Sequence, residues 1–400
     1  MQCVILAAGE GKRMRPLTAS RPKVMLPVAN RPILEHLIAA AVRAGFSRIL
    51  LVVGYGEREI REHFGDGTAF KCQIRYVTQR QQLGTADAVR ACAGLVSGPF
   101  LLMNGDMIVG SEDIAAIAAM DGAVMGIHRT DHPKDFGVVT CDDGFITGLE
   151  EKSPEPRSNL INAGVYRFDE EIFDRIGRIG VSSRGELELT DALAAYIGER
   201  RLRSHMLETW LDMGYPWDLL DANTRLLADQ EPVIEGEIEE GVVMKGAVSV
   251  GKGSLVMAGT YIEGPCVIGR GCKIGPHAYL RPATSIGDRC HIGHSTEVKN
   301  TIVLPDTKVP HFNYVGDSVI GSHCNFGAGS KVANLRNDHA IVKVAGKATG
   351  RKKLGAIVGD RVNLGINCSV NVGTVIGPGV NIAPHAFVEG WIDEGTSFQS

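Results

Sequence analysis

Three clusters along the chain carry side chains whose types and spacing could do chemistry. The first is the string Leu6-Ala-Ala-Gly-Glu-Gly-Lys-Arg-Met-Arg-Pro-Leu-Thr18, which follows the apolar run Cys3–Leu6. Gly9 and Gly11 allow backbone N–H groups to turn toward an anion, and Lys12, Arg13 and Arg15 add positive charge. The second is Asp106, in Asn104-Gly105-Asp106, just beyond the apolar run Phe100–Met103. A carboxylate at the end of a buried strand is costly to desolvate unless it is paired, so a cation is expected beside it. The third is His311, in Lys308-Val-Pro-His-Phe-Asn-Tyr-Val-Gly-Asp317. Imidazole gains and loses a proton near neutral pH and is the usual general base, although one His among 12 is more often structural.

The elements that must position these residues fall into two textures. From residue 1 to about 229, strand-like and helix-like stretches alternate. Ile49–Val53, Ile74–Val77, Phe100–Met103 and Ala123–Ile127 read as strands, while Ile33–Ala44, Ala86–Leu95 and Ser111–Met120 read as helices. This alternation predicts an α/β domain with a mixed, mostly parallel sheet covered on both faces, and ligands beyond the carboxyl ends of its strands. Trp217–Asp229 reads as an amphipathic connecting helix, which closes the first domain at 229.

From 230 to 400 the texture is a six-residue repeat. Ile238, Met244, Val250, Val256, Ile262, Ile268, Ile274, Leu280, Ile286, Ile292 and Val298 follow one another at that step, and after a short slip the series resumes through Val309, Val315, Ile320, Phe326 and Val332. A last run covers Val358, Leu364, Val370, Ile376, Ile382 and Val388. Such a period predicts a triangular coil of short parallel strands, a left-handed parallel β-helix, with the aliphatic side chain inside and a frequent following Gly at the turn. Five of the nine Cys (Cys266, Cys272, Cys290, Cys324 and Cys368) share the small-residue slot four places after the aliphatic one. They are expected to be inward fillers rather than metal or redox groups. The polar, basic stretch between Asn334 and Gly355 breaks the period and reads as a projecting loop.

Bulk properties exclude several classes. A net charge of −4 over 400 residues gives no general attraction for nucleic acid or acidic lipid. The start of the chain lacks the pattern of a signal peptide, and no run approaches the roughly 18 apolar residues of a membrane span. The Cys are odd in number and scattered without a C-x-x-C pair, against a disulfide framework. The expected compartment is the cytoplasm.

The long string from Leu6 to Thr18, followed by Arg21-Pro22-Lys23, resembles the signature of the sugar-phosphate nucleotidylyltransferases. The resemblance implies a Rossmann-like fold, with Leu6, Ala8, Gly9 and Gly11 on the nucleotide and Arg13 and Lys23 neutralising the transferring phosphoryl group. Gln79 and Gln82-Leu-Gly84-Thr85 are similar to the family's base-recognition segment. Asp212, in Trp210-Leu-Asp-Met-Gly214, resembles its second carboxylate, so that Asp106 and Asp212 would together hold Mg²⁺. Gly137 of Phe136-Gly-Val-Val139, Glu151, Lys152 and Asn162 resemble the sugar-phosphate-binding pieces.

In the second half, Leu280-Arg281-Pro282, Glu297-Val-Lys299, the string around His311, Asn325-Phe-Gly-Ala328-Gly329 and Asn334 occur in the order of the acetyltransferase half of the bifunctional enzymes that make UDP-N-acetylglucosamine. The archaeal-type sugar-1-phosphate nucleotidylyltransferase/acetyltransferases are the nearest resemblance and cover nearly the whole chain. By it, His311 would take a proton from a sugar amine attacking acetyl-CoA, and Asn334 would donate to the oxyanion. Arg281 and Lys299 would bind the sugar phosphate, with Tyr314 and Asn325 orienting the sugar. Ala328, Arg351 and Lys352 would meet acetyl-CoA, although the run Arg351-Lys-Lys353 reads equally as a solvated charge cluster. Where bacterial relatives have Asn-Tyr-Asp-Gly this chain has Asn334-Leu-Arg-Asn337, so amine acceptance is open. The base (UTP or dTTP) and the sugar 1-phosphate (glucosamine, galactosamine or glucose) also stay open. A homotrimer is expected by analogy. The alternatives are a glucose- or mannose-1-phosphate nucleotidylyltransferase with the coil as an assembly platform, and a non-enzymatic scaffold subunit.

Overall fold

The computed structural model describes residues 1–182 and 184–399. Contacts divide them into two compact units. The first comprises Met1–Glu10, Pro22–Met25 and Ile33–Asp212; the second comprises Gly11–Arg21, Leu26–Pro32 and the chain from Met213 onward.

The first unit is built on strands β1 (Gln2–Ala7), β2 (Arg48–Val53), β3 (Gln73–Thr78), β4 (Phe100–Asn104), β5 (Met107–Val109), β6 (Ala123–Arg129), β7 (Gly137–Asp142), β8 (Phe145–Glu151), β9 (Leu160–Phe168), β10 (Leu202–Met206) and β11 (Trp210–Asp212). Nine of them form one sheet in the order β3-β2-β1-β4-β9-β6-β10-β8-β7. The first four are mutually parallel, with Ile5 opposite both Leu51 and Met103. Beyond β4 the pairing turns mostly antiparallel, because β7 and β8 are joined by a tight turn and have no crossover helix to return the chain.

Alternate residues of the parallel strands point to opposite faces. Ile5, Leu51 and Met103 pack with the helix Ile33–Arg43 on one side, whereas Val4, Leu50 and Leu102 pack with the helices Thr85–Arg90 and Leu189–Gly198 on the other. Both faces are covered, so the inner strands β2, β1 and β4 are largely apolar, whereas the edge strand β3 exposes Gln73, Arg75 and Thr78. Each fully buried Ile or Leu contributes about 1.5–3 kcal/mol of gross burial energy.

The second unit is a parallel β-helix of the left-handed hexapeptide kind, with three sheets of nine, eight and eight strands. Val256 pairs with Ile274 and Ile274 with Ile292, so like side chains stack coil upon coil. The repeat positions from Val250 to Val388 are buried and form one continuous core. On the first coil, which has no coil beneath it, Ile238 is half-buried and Met244 is exposed. The five Cys of the corner slot are buried, and burial pushes the thiols of Cys266 and Cys324 up to about 12. They are packing groups, not nucleophiles.

The glycine after the aliphatic residue has a different purpose from the one expected. Among Gly251, Gly269, Gly275, Gly287, Gly293, Gly321 and Gly377, only Gly275 has a left-handed φ. The others are needed because the next coil lies directly against them. A Cβ on Gly293 would sit 1.9 Å from the Pro310 carbonyl oxygen, and one on Gly321 would sit 2.5 Å from Gly359. The left-handed turn falls two places later, at Gly253, His277, Arg289, His323 or Gly379.

Helix Asp218–Ala228 packs on the coil through Asn223, which is fully buried. Its Oδ1 accepts from Ala29 N–H (2.8 Å) and Ser285 Oγ (2.6 Å), and its Nδ2 donates to the Ala283 carbonyl (2.9 Å). The break in the period forms an excursion with structure of its own. Lys343–Val344 and Lys347–Ala348 make a small antiparallel ribbon, and Val342 is wholly buried.

Candidate active sites

In the first unit, the carboxyl end of β1 is crowded by design of the sequence. The Ala8 carbonyl accepts from Tyr55 N–H (3.1 Å) and from Gln82 Nε2 (2.7 Å). Gly105 donates its N–H to the Leu6 carbonyl (2.9 Å), and a Cβ there would lie 2.7 Å from that oxygen. Nothing lies within 4 Å of a Cβ on Gly9, so the loop is open above it. Gln79 donates from Nε2 to the Gly84 carbonyl (3.1 Å) and to Asp87 (2.9 Å), which shapes the segment it was expected to share with Gln82. Gly84 lies so close to Leu187 that a Cβ would be 2.4 Å from its carbonyl oxygen, and Thr85 Oγ1 accepts from Leu189 N–H (3.1 Å).

Of the two acids expected to share a metal, Asp212 stands opposite the residue that follows Asp106, since β5 and β11 pair antiparallel with Asp212 opposite Met107. Lys23, almost wholly buried, donates from Nζ to Asp106 Oδ2 at 2.5 Å. The start of β11 is fixed by Asp113, whose carboxylate accepts the N–H groups of Glu208 and Thr209. Among the described residues no cluster of three or more His, Cys, Asp or Glu could hold a metal. A metal here would therefore draw the rest of its shell from water and substrate oxygens.

The expected sugar residues also converge. Gly137 is the register partner of Glu151, and a Cβ on it would lie 2.9 Å from Glu151 Oε2 and 3.6 Å from Asn162 Cβ. Asn162 is held by Nδ2 donating to Tyr166 Oη (2.7 Å) and by Oδ1 accepting from Gly164 N–H (3.1 Å). Lys152 adopts φ 50° as the chain leaves β8. Burial raises the Glu151 carboxyl above the usual carboxylate range, and Arg184, 3.7 Å away, opposes the rise. Arg184 was not foreseen, because it lies in a polar stretch without a motif.

In the second unit, Gly11 adopts φ 72°, which the turn into Lys12–Met14 requires, and its carbonyl accepts from Thr18 Oγ1 (3.0 Å). The Arg13 guanidinium lies over the Tyr215 ring, 5.3 Å from its centre. On the coil, His311 ends the strand Lys308–His311, exposed and level with His294 of the preceding coil. It is therefore outside the prism and open to a substrate.

Tyr314 stands opposite Glu297 on the adjoining sheet. Asp317, 3% exposed, organises this corner: its carboxylate accepts from Asn334 Nδ2 (2.5 Å), Asn300 Nδ2 (2.7 Å) and Lys299 Nζ (3.3 Å). Arg281 pairs with Glu297 at 3.0 Å. Asn325 is exposed one coil beyond Lys308, and the N–H of Gly329, next to Ala328, donates to the His311 carbonyl (2.9 Å). Arg351 is paired with Asp221 at 2.5 Å, and Lys352 is exposed on the excursion. Asp317 stood in the quoted string without a role. The signal for it was an acid where the repeat otherwise places small residues.

The Nucleotidyl transferase family model matches residues 2–229. The chain belongs to that family. A second model, GMPPB C-terminal domain, matches residues 262–353. The chain is 41% identical to "Bifunctional protein GlmU" of Methanocaldococcus jannaschii, over 99% of this chain and 97% of that one. It is 37% identical to the "Bifunctional sugar-1-phosphate nucleotidylyltransferase/acetyltransferase" of Sulfurisphaera tokodaii over the full length of both. Among solved structures, a Bacillus anthracis protein assigned as a glucose-1-phosphate thymidylyltransferase, crystallised with sucrose, superposes with a TM-score of 0.53 at 28% identity. It covers 58% of this chain and 96% of its own. This nucleotidyl transferase is thus an enzyme of the two-activity kind, with a nucleotidyltransferase half and an acetyltransferase half. No helix among the described residues is long and apolar enough to cross a membrane.

Proposed function

We propose that the chain makes UDP-N-acetylglucosamine in two steps, with residues 1–229 as the uridylyltransferase domain, 230–400 as the acetyltransferase domain, and the cytoplasm as its compartment. In the second domain, the amine of glucosamine 1-phosphate attacks the carbonyl of acetyl-CoA. A C–N bond forms, the C–S bond breaks, and His311 carries the amine proton to the leaving thiolate. Asn334, whose Nδ2 donates to Asp317 and also meets Tyr314, is the group that would turn an amide N–H to the oxyanion. Lys299 and Arg281 bind the sugar phosphate. In the first domain, the phosphate oxygen of N-acetylglucosamine 1-phosphate attacks the α-phosphorus of UTP and pyrophosphate leaves. Glu151 and Asn162 hold the sugar hydroxyls, Lys152 the phosphate, and Arg13 and Lys23 the charge that builds on the transferring group.

The observation that carries the front reaction is the pairing of β5 with β11, which sets Asp212 opposite Met107, the residue after Asp106. Carboxylates at these two positions, with the Asp106 side chain 36% exposed, would suit Mg²⁺ when water and substrate oxygens complete its shell. When bound there, Mg²⁺ screens the charge of the triphosphate.

Two assays test the reading. With Mg²⁺, UTP and N-acetylglucosamine 1-phosphate the protein should release pyrophosphate, and Asp106→Asn should abolish the release while the protein stays folded. An active Asp106→Asn protein removes the metal assignment. With acetyl-CoA and glucosamine 1-phosphate it should release free thiol, and His311→Ala, an exposed substitution, should stop this without unfolding. Absence of thiol with glucosamine or galactosamine 1-phosphate would leave the coil as a platform. Exchanging UTP for dTTP in the first assay assigns the base.

A further inference from the structure

Tyr215 joins two parts of the second unit that the two reactions would use separately. Its ring stacks on Trp217, with centres 4.9 Å apart and planes 2° from parallel. The Arg13 guanidinium lies 5.3 Å from the same ring centre. From the excursion that interrupts the coil, Lys347 brings its Nζ to 4.2 Å from the ring centre and donates to the phenolic oxygen at 2.5 Å. Lys347 stands on the excursion's ribbon, whose preceding residue Val342 is fully buried. The excursion is tied down a second time by Arg351 on Asp221, in the helix that follows Tyr215. Two cations on one aromatic ring, which is itself clamped by Trp217, form a short mechanical chain: a cation over an aromatic face is held by the ring's negative face and is released when the ring is displaced.

We propose that Tyr215 is a positioning residue for Arg13, and that the excursion, through Lys347, is a positioning arm for nucleotidyl transfer. The inference rests on the reading that Arg13 acts in that reaction. The ring sets the reach of the guanidinium, and Lys347 sets the ring. Lys347 acts through the Tyr215 ring, so the arm tunes the reaction of this chain rather than supplying its chemistry. Because the excursion also carries Arg351 and Lys352, proposed to meet acetyl-CoA, a change in one reaction's loop is felt by the other reaction's arginine.

The test measures pyrophosphate release by the full-length protein with Mg²⁺, UTP and N-acetylglucosamine 1-phosphate. Arg13→Ala is made first: a normal kcat there overturns the role of Arg13 and this proposal with it. If Arg13→Ala lowers kcat, Tyr215→Ala is expected to lower it about tenfold with less than threefold change in either KM, and Tyr215→Phe, which keeps the ring, to recover most of that loss. Lys347→Met should fall between the two. In the Arg13→Ala background Tyr215→Ala should cost nothing more, which a general packing defect would not reproduce. A Tyr215→Ala protein with the parent kcat, or an additive double variant, overturns the positioning role while leaving the assignment of Arg13 intact.

Discussion

Glu151 holds a carboxylate that burial disfavours, at a place where only a sugar hydroxyl or a cation would reward the charge. Its folded pKa stands above the unfolded value, so the folded state binds the proton more tightly. The corresponding stability is present below the unfolded pKa and is lost as pH rises through the folded one. Removing the charge should therefore stabilise the protein at neutral pH. Glu151→Gln is expected to raise the melting temperature by roughly 2 °C at pH 7 and by nothing measurable at pH 4. The KM for the sugar 1-phosphate should rise about tenfold, as expected for a lost charge-assisted hydrogen bond of about 1.5–3 kcal/mol. Arg184 keeps its bond to Glu188 in that variant, so no new unpaired charge is created. Equal stability at both pH values, or an unchanged KM, would show that the carboxylate is held for some other purpose.

At the scale of the element, one coil is stacked on the next through positions without side chains. Gly293→Ala would force a methyl group into the Pro310 carbonyl, at 1.9 Å, where the opposing atom is backbone and cannot turn aside. Gly379 has φ 68° and nothing within 4 Å of a Cβ, so Gly379→Ala meets only the cost of a left-handed backbone, about 1–2 kcal/mol. Thermal unfolding should show a small drop for Gly379→Ala and a much larger one, or loss of soluble protein, for Gly293→Ala. The reverse order would return the glycine to the turn where the hexapeptide pattern first placed it. The pattern itself was legible because a single row of aliphatic residues must face one prism, and Val250 to Val388 do. What the pattern could not tell is which glycine turns and which is stacked, since both lie in the same few polar residues of each repeat. The front sheet was legible where strands alternate with helices, from β1 to β4. It was not legible in β7, β8 and β10, which are half-buried and alternate in hydrophobicity too weakly to stand out, nor in β9, which is almost wholly buried but carries Asn162, Gly164 and Arg167 within its run. Asp106, Asp212, Glu151 and Asn162 were visible through motifs, whereas Asp317 and Tyr215 act by contacts distant in sequence, which no local spacing records.

For the whole molecule, the second unit presents apolar side chains to water that its own core cannot take in. Phe312, Ile366, Phe387 and Trp391 are each about half exposed on the coil. A prism of short strands is already filled by one aliphatic row, so larger apolar groups on its outside either cost solubility or meet another chain. Stable association needs about 800 Å² per partner, toward which Phe387 and Trp391, on two adjoining sheets of the prism, would contribute. We expect light scattering to give the mass of three chains. Phe387→Glu with Trp391→Glu should lower that mass and reduce thiol release at least tenfold, because a charge buried at an interface costs several kcal/mol. Pyrophosphate release by the same variant should stay within about twofold, since Phe387 and Trp391 lie neither in the strands that carry Asp212, Glu151 and Asn162 nor in the excursion that bears Lys347. A parent protein that is monomeric and active in both assays would mean that each coil completes its acetyl-transfer site alone.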